Sequence, residues 1–128
     1  RETAEWLVEN GADMIIGTHP HVVQDCEKIS GVPVAYSLGN AVSNMSAPDT
    51  QIGLMAMIRL VRCSNGDVQA EPLEFTWLWC SRPGGWCDSY CVLPVEEFIG
   101  SRDRWMGTWE YDKMIATYNR VRKATGIN

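Results

Sequence analysis

Histidine is nearly absent from this chain: two of 128 residues, His19 and His21, separated by a single proline. A pair so isolated is not a sample from a histidine-rich surface. No apolar run approaches the roughly 18 residues that a membrane-crossing helix needs. There is no internal repeat and no low-complexity tract, which sets aside solenoids and tethers. A Gly-x-Ser-x-Gly elbow and a phosphate-cradling P-loop are both missing, so neither serine hydrolase nor P-loop NTPase chemistry has a carrier. Positive charge is also short. The net charge is -5, which argues against a nucleic-acid partner.

What is present describes a globular segment. The apolar fraction of 45% is ordinary, and 128 residues suffice for one domain with a real core. The first residue is Arg1, inside a helix-like pattern, so the chain is read as a segment of a longer protein. Charge is uneven. Residues 1–50 hold two Lys or Arg against seven Asp or Glu, whereas residues 101–128 hold six against three. An acidic front suits a cation-binding region, although most of these carboxylates taken singly read as solvated surface.

Residues 2–10 read as the end of a helix, with Ala4, Leu7 and Val8 on one face and Gly11 as its left-handed terminator. A strand, Met14 to Ile16, follows. Helix, turn and strand in that order form half of a βαβ unit, so this strand is expected in a parallel pairing. Residues 22–39 read as a hairpin turning at Ser30-Gly31, with Pro33 placing the second arm's start at an edge. Residues 41–51 read as a polar, mobile loop. A strand over 52–62 turns at Asn65-Gly66 and returns over 68–79. A turn at Arg82 to Gly85 leads to a short strand near Tyr90 to Leu93. The last segment is a helix capped by Thr108 and ended by Gly126. Its buried stripe is Tyr111, Met114, Ile115, Tyr118 and Val121, and Glu110 and Asp112 lie near its positive end. Trp77 and Trp79 are expected in the core against this helix rather than on a base- or sugar-stacking face. Trp86 and Trp105, if exposed, would favour a separate ligand-binding module over 52–128.

The five cysteines are Cys26, Cys63, Cys80, Cys87 and Cys91. The spacing Cys80-x6-Cys87-x3-Cys91 fits no usual zinc pattern. A disulfide among these three and simple buried thiols remain equal readings.

Chemistry is expected at Gly17-Thr18-His19-Pro20-His21. A strand that ends at a glycine can aim two imidazoles at one point, where open sheets place their sites. Neutral imidazole is a common ligand of divalent transition metals. Asp13 is too far along the strand to share an ion with them. Asp25 and Glu27 are candidates to orient an imidazole. A Cys26–His21 nucleophile pair has no sign of thiolate activation. In Tyr36-Ser37-Leu38-Gly39-Asn40, the asparagine is a candidate substrate-binding residue that hydrogen-bonds a phosphate or a metal-bound water, against the plainer reading of a turn residue.

The run Gly11-Ala12-Asp13-Met14-Ile15-Ile16-Gly17-Thr18-His19-Pro20-His21-Val22-Val23-Gln24, with Glu27 and Tyr36 to Asn40, resembles the bacterial capsule-synthesis family, the CapA or poly-γ-glutamate synthesis proteins. The strong resemblance covers about the first 40 residues. That family is similar to the calcineurin-like metallophosphoesterases. The resemblance implies an α+β chain that is the C-terminal half of an αββα sandwich. It would consist of mainly antiparallel strands and hairpins between an N-terminal helix remnant and a C-terminal helix. Residues 1–128 would then be one part of a larger domain, with 1–45 carrying the metal motif and 52–128 the hairpins and terminal helix. His19 and His21 would each bind one ion of a dinuclear manganese, iron or zinc site, and Asn40 would line it. No catalytic residue beyond these ligands is assigned. The remaining ligands would come from the upstream part of the same protein, so this chain alone is expected to be inactive. The resemblance further implies the bacterial cell envelope, extracytoplasmic or membrane-associated, and a polymer-synthesis membrane complex as partner. A missing half-sandwich would favour self-association of the fragment. Thr18 is inserted in the superfamily's Gly-His-x-His, Ala41 stands where an aromatic is usual, and Asp25 where a proline is. The competing reading is a non-enzymatic scaffold or binding subunit.

Overall fold

The computed structural model describes residues 1–128. In chain order, α1 (Glu2–Glu9) leads into β1 (Ile15–Ile16), and the hairpin β2 (Cys26–Ile29) and β3 (Val32–Ala35) follows. Next come β4 (Ile52–Met57), β5 (Leu60–Arg62), β6 (Val68–Ala70), β7 (Glu74–Ser81) and β8 (Cys91–Pro94). The short α2 (Val95–Phe98), a 3-10 turn at Arg102–Arg104 and the long α3 (Thr108–Thr125) complete the chain. The architecture is α+β, with a helix at each end and mainly antiparallel strands between them.

The first sheet has the order β1-β3-β2. Ile15 and Ile16 pair in parallel with Val34 and Ala35, the pairing expected from the helix–turn–strand order. The sheet is mixed, because β2 and β3 are antiparallel around a two-residue turn. Ser30 and Gly31 both have positive φ, 50° and 86°, as the tight hairpin turn that matches strand twist requires. β3 is the central strand, yet its start is an edge as expected, with β2 alone beside Val32 and Pro33. Pro33 is tolerated because β1 begins pairing only at Val34, so the missing N–H has no ladder partner to lose.

The second sheet, β4-β7-β8, carries the core. Ile52 pairs with Trp79 and Leu54 with Trp77, so strand alternation puts all four on one face. Against that face lie Tyr111, Met114, Tyr118 and Val121 of α3, joined by Leu93 and Val95. Trp77 and Trp79 are fully buried, and Trp77 meets Tyr118 edge-on at 5.6 Å between centroids. Trp105 is buried as well, and Trp86 packs edge-on against it and Phe98, so this pair does not form an exposed stacking face.

The strand read over 52–62 is broken in two, and so is its return. Met57 pairs with Glu74, but Leu60 pairs with Ala70, so the register slips by one residue between the two ladders. Pro72 lies in the slip, where its lack of an N–H requires an interruption. The outer β5–β6 hairpin extends away from the core with Leu60, Val61 and Val68 exposed.

Two helix details also differ from expectation. Gly107 occupies the cap position of α3, and Thr108 is its first residue without a capping bond. Ile115 is only partly buried, while Thr117 and Glu110 join the buried face. Glu110 is wholly buried rather than merely near the helix dipole: its Oε1 accepts from Gln51 Nε2 at 3.0 Å and from the Arg82 backbone N–H at 3.2 Å. At the other end of the chain, Leu7 and Trp6 of α1 are exposed, and only Ala4 is buried.

Candidate metal centre

Two glycines bring the site together, each at a contact where a side chain has no room. A Cβ on Gly17 would lie 2.1 Å from the Tyr36 carbonyl oxygen. Gly17 therefore lets the end of β1 lie directly on the chain leaving β3, with its N–H on Ala35 O at 2.7 Å and its carbonyl accepting from Leu38 N at 3.2 Å. A Cβ on Gly53 would lie 2.3 Å from Asn40 O, so the chain continuing from β3 passes onto β4 there. Leu54 N donates to Leu38 O at 2.8 Å across the same junction. Asn40 thus sits where the two sheets meet, beside the loop that leaves β1.

That loop carries both histidines in unusual backbone. His19 has φ 99° and His21 φ 61°. Non-glycine residues rarely adopt positive φ, and a residue preceding proline, as His19 does, is pushed toward extended conformations. Such outliers are held in place by their surroundings and cluster at functional positions. Both side chains are exposed, with ring centroids 6.0 Å apart and planes tilted by 38°.

Asn40 decides the protonation pattern of His21. Its Nδ2 donates to two backbone carbonyls, His21 O at 3.2 Å and Thr50 O at 3.1 Å, and lies 3.9 Å from Met45 Sδ. Carbonyls only accept, so the amide cannot be flipped without facing oxygen with oxygen. Asn40 Oδ1 must then be the atom 2.9 Å from His21 Nδ1. An amide oxygen only accepts, so Nδ1 carries the proton. In neutral imidazole this leaves the lone pair on Nε2, the form that ligates metal. Asn40 itself is committed to His21 and Thr50, and it faces the opening as a wall residue. His21 and Asn40 border a cavity of about 430 Å³ with Val42, Ser43, Met45 and Tyr90.

The expected polar neighbours divide. Glu27 is not beside the imidazoles: it accepts from Tyr36 Oη at 2.6 Å and pairs with Arg1 at 3.1 Å. That bond raises the Tyr36 phenol above its usual range. Asp25 lies with Glu27 along a separate cavity over β2. Neither orients a histidine, because β2 runs along the far side of β3 from β1. Burial pushes the Cys26 thiol up to about 11, so it is no nucleophile for His21. No group of three or more His, Cys, Asp or Glu side chains within this chain is arranged to hold a metal ion by itself.

Nothing in the sequence singles out Thr50 or Tyr90. Tyr90 arrives from a turn far along the chain, and its residue type carries no metal signature. The loop expected to be mobile is tied down. Ser43 N donates to Cys80 Sγ at 3.3 Å, Thr50 Oγ1 donates to Ala47 O at 2.7 Å, and the Arg82 guanidinium donates to Met45 O.

The comparisons bear on this same segment. Residues 1–45, which carry the histidine loop and Asn40, match the family described as bacterial capsule synthesis protein PGA_cap. Over 74 residues, 58% of this chain, the sequence is 31% identical to the PGA biosynthesis protein CapA of Bacillus subtilis (strain 168). The chain covers 20% of that relative's length. No solved structure gives a significant match. The matched segment holds β1, the hairpin and every polar contact of the Asn40 side chain except that to Thr50.

Two imidazoles are a partial ligand set, and they fit a metal to that extent. A metal–nitrogen bond is about 2.0–2.1 Å for zinc, and paired ions stand about 3.5–4 Å apart. The two rings, with centroids 6.0 Å apart on one short loop, leave most of a metal's coordination sphere to other groups.

Proposed function

We propose that this chain is the C-terminal portion of a capsule-synthesis protein and that it supplies His19 and His21 to a divalent-metal, hydrolase-like site. The remaining ligands come from parts of the protein outside this sequence, within a metallophosphoesterase-like αββα sandwich of the cell envelope. The observation that carries this reading is the clamp of Asn40 on His21. It presents Nε2 as a lone-pair donor at the edge of a cavity, from a backbone conformation that costs energy to hold.

In this arrangement His21 and His19 bind, and Asn40 orients. The Asn40 amide fixes ring rotation and tautomer of His21, and Val42, Met45 and Tyr90 line the open cavity beside it. Manganese, iron or zinc, when bound, supplies Lewis-acid polarisation of a phosphoryl or related centre. The name of the Bacillus relative points to the synthesis of PGA as the biological setting.

The test is hydrolysis of a generic phosphodiester by the full-length protein with manganese, against His19→Ala/His21→Ala. The variant is expected to lose at least about 100-fold in kcat/KM, the scale of metal-assisted chemistry. Equal rates would remove the catalytic role.

A further inference from the structure

Cys87 and Cys91 stand at the end of the β7–β8 hairpin with their Sγ atoms 3.6 Å apart. A disulfide bond is about 2.05 Å long, so small side-chain rotations separate contact from bonding. The backbone on both sides is already anchored to one residue, Ser81. Cys91 is its ladder partner, and Ser81 Oγ accepts from Trp86 N, next to Cys87, at 2.9 Å. Trp86 is wedged edge-on against Phe98 and Trp105, and Gly84 N donates to Cys87 O at 2.8 Å. The two thiols are therefore held together by the fold. The third thiol of this cluster, Cys80, is fully buried and engaged with the Ser43 backbone. Cys26 lies on β2 and Cys63 in the turn between β5 and β6.

We propose that Cys87 and Cys91 are a disulfide-forming pair whose closure fixes the short loop Asp88–Tyr90 and, with it, the Tyr90 wall of the cavity beside His21. The oxidant is a disulfide of the surroundings, either oxidised glutathione or a thiol–disulfide oxidoreductase. Cys87 thiolate attacks one oxidant sulfur, the S–S bond breaks, and one thiolate leaves. Cys91 thiolate then attacks Cys87 Sγ of the mixed disulfide and expels the second. Two protein thiols lose two electrons and two protons, and the oxidant's disulfide becomes two thiols. The order follows from the surroundings. Hydrogen bonding with Ser89, side chain and backbone, and with Cys91 lowers the Cys87 thiol below its usual range. Burial pushes Cys91 up to about 11. The more ionised and more accessible Cys87 attacks first.

The experiment equilibrates the reduced chain, Cys87→Ser and Cys91→Ser in a glutathione buffer poised as in an oxidising compartment, at high dilution. Titratable thiols in denaturant are counted and the chain is mapped by chymotrypsin, which cuts after Tyr90. Wild type is expected to fall from five thiols to three, with the peptide ending at Tyr90 linked to the peptide beginning at Cys91. Each serine variant is expected to keep all four of its thiols. No loss in wild type, the same loss in a serine variant, or a link through Cys80 or between molecules would overturn the proposal. None of these readouts depends on metal at the histidines.

Discussion

Trp77→Ala is expected to unfold this chain or bring it close to unfolding. Trp77 is fully buried between Leu54 of the neighbouring strand and Tyr118 of α3. Deleting a buried Trp side chain costs about 3–5 kcal/mol from lost transfer energy and the cavity left behind. A domain of this size has about 5–15 kcal/mol in total. The indole N–H has no hydrogen-bond partner, so its burial is itself a cost. Trp77→Phe keeps the apolar ring and removes that unpaired donor, and it is expected to lose far less than the alanine variant. Urea titration with unchanged slope would measure both. Equal losses in the two variants would show that the indole's volume is not what holds sheet and helix together.

Asn40→Ala in the full-length protein is expected to weaken divalent-metal affinity by about 10–100-fold, the usual effect of removing a group that orients a ligating histidine. The substitution also removes donors to His21 O and Thr50 O, so a fold effect has to be separated. Asn40→Asp does this. It keeps an acceptor for His21 Nδ1–H while losing the same two donors. Retained affinity in Asn40→Asp with lost affinity in Asn40→Ala assigns the effect to tautomer and ring orientation. Equal loss in both assigns it to the loop's backbone, and no loss in either removes the positioning role.

Much of this architecture is legible from local chemistry. Ser30-Gly31 and Asn65-Gly66 mark turns that the structure contains, the helix–turn–strand order gives the parallel β1–β3 pairing, and α3 ends at Gly126 with φ 68°. Local reading fails where a distant partner decides. Glu110 looks like a dipole-pairing surface acid, yet Gln51 and Arg82 supply hydrogen bonds that let it be buried. The slip at Pro72 depends on the facing strand, not only on the proline's own neighbours.

The site divides in the same way. His19, His21 and Asn40 are singled out by residue type and motif. The bond between Asn40 and His21 needs β1 beside β3 and a glycine at 53, which no window of sequence shows. Glu27 illustrates the converse. It lies close to the histidines in sequence but across β3 from them, and it pairs with Tyr36 and Arg1.

Metal ligation by the two imidazoles, completed by the rest of the protein, fixes how much metal the protein carries. Elemental analysis of the full-length protein as purified, beside His19→Ala/His21→Ala shown to be folded by circular dichroism, tests it most directly. About two equivalents of manganese, iron or zinc per chain in the wild type, and a large loss in the variant, are expected. Metal-free wild type, or the same metal content in both, would contradict the account and favour a scaffold in which these histidines serve the loop alone.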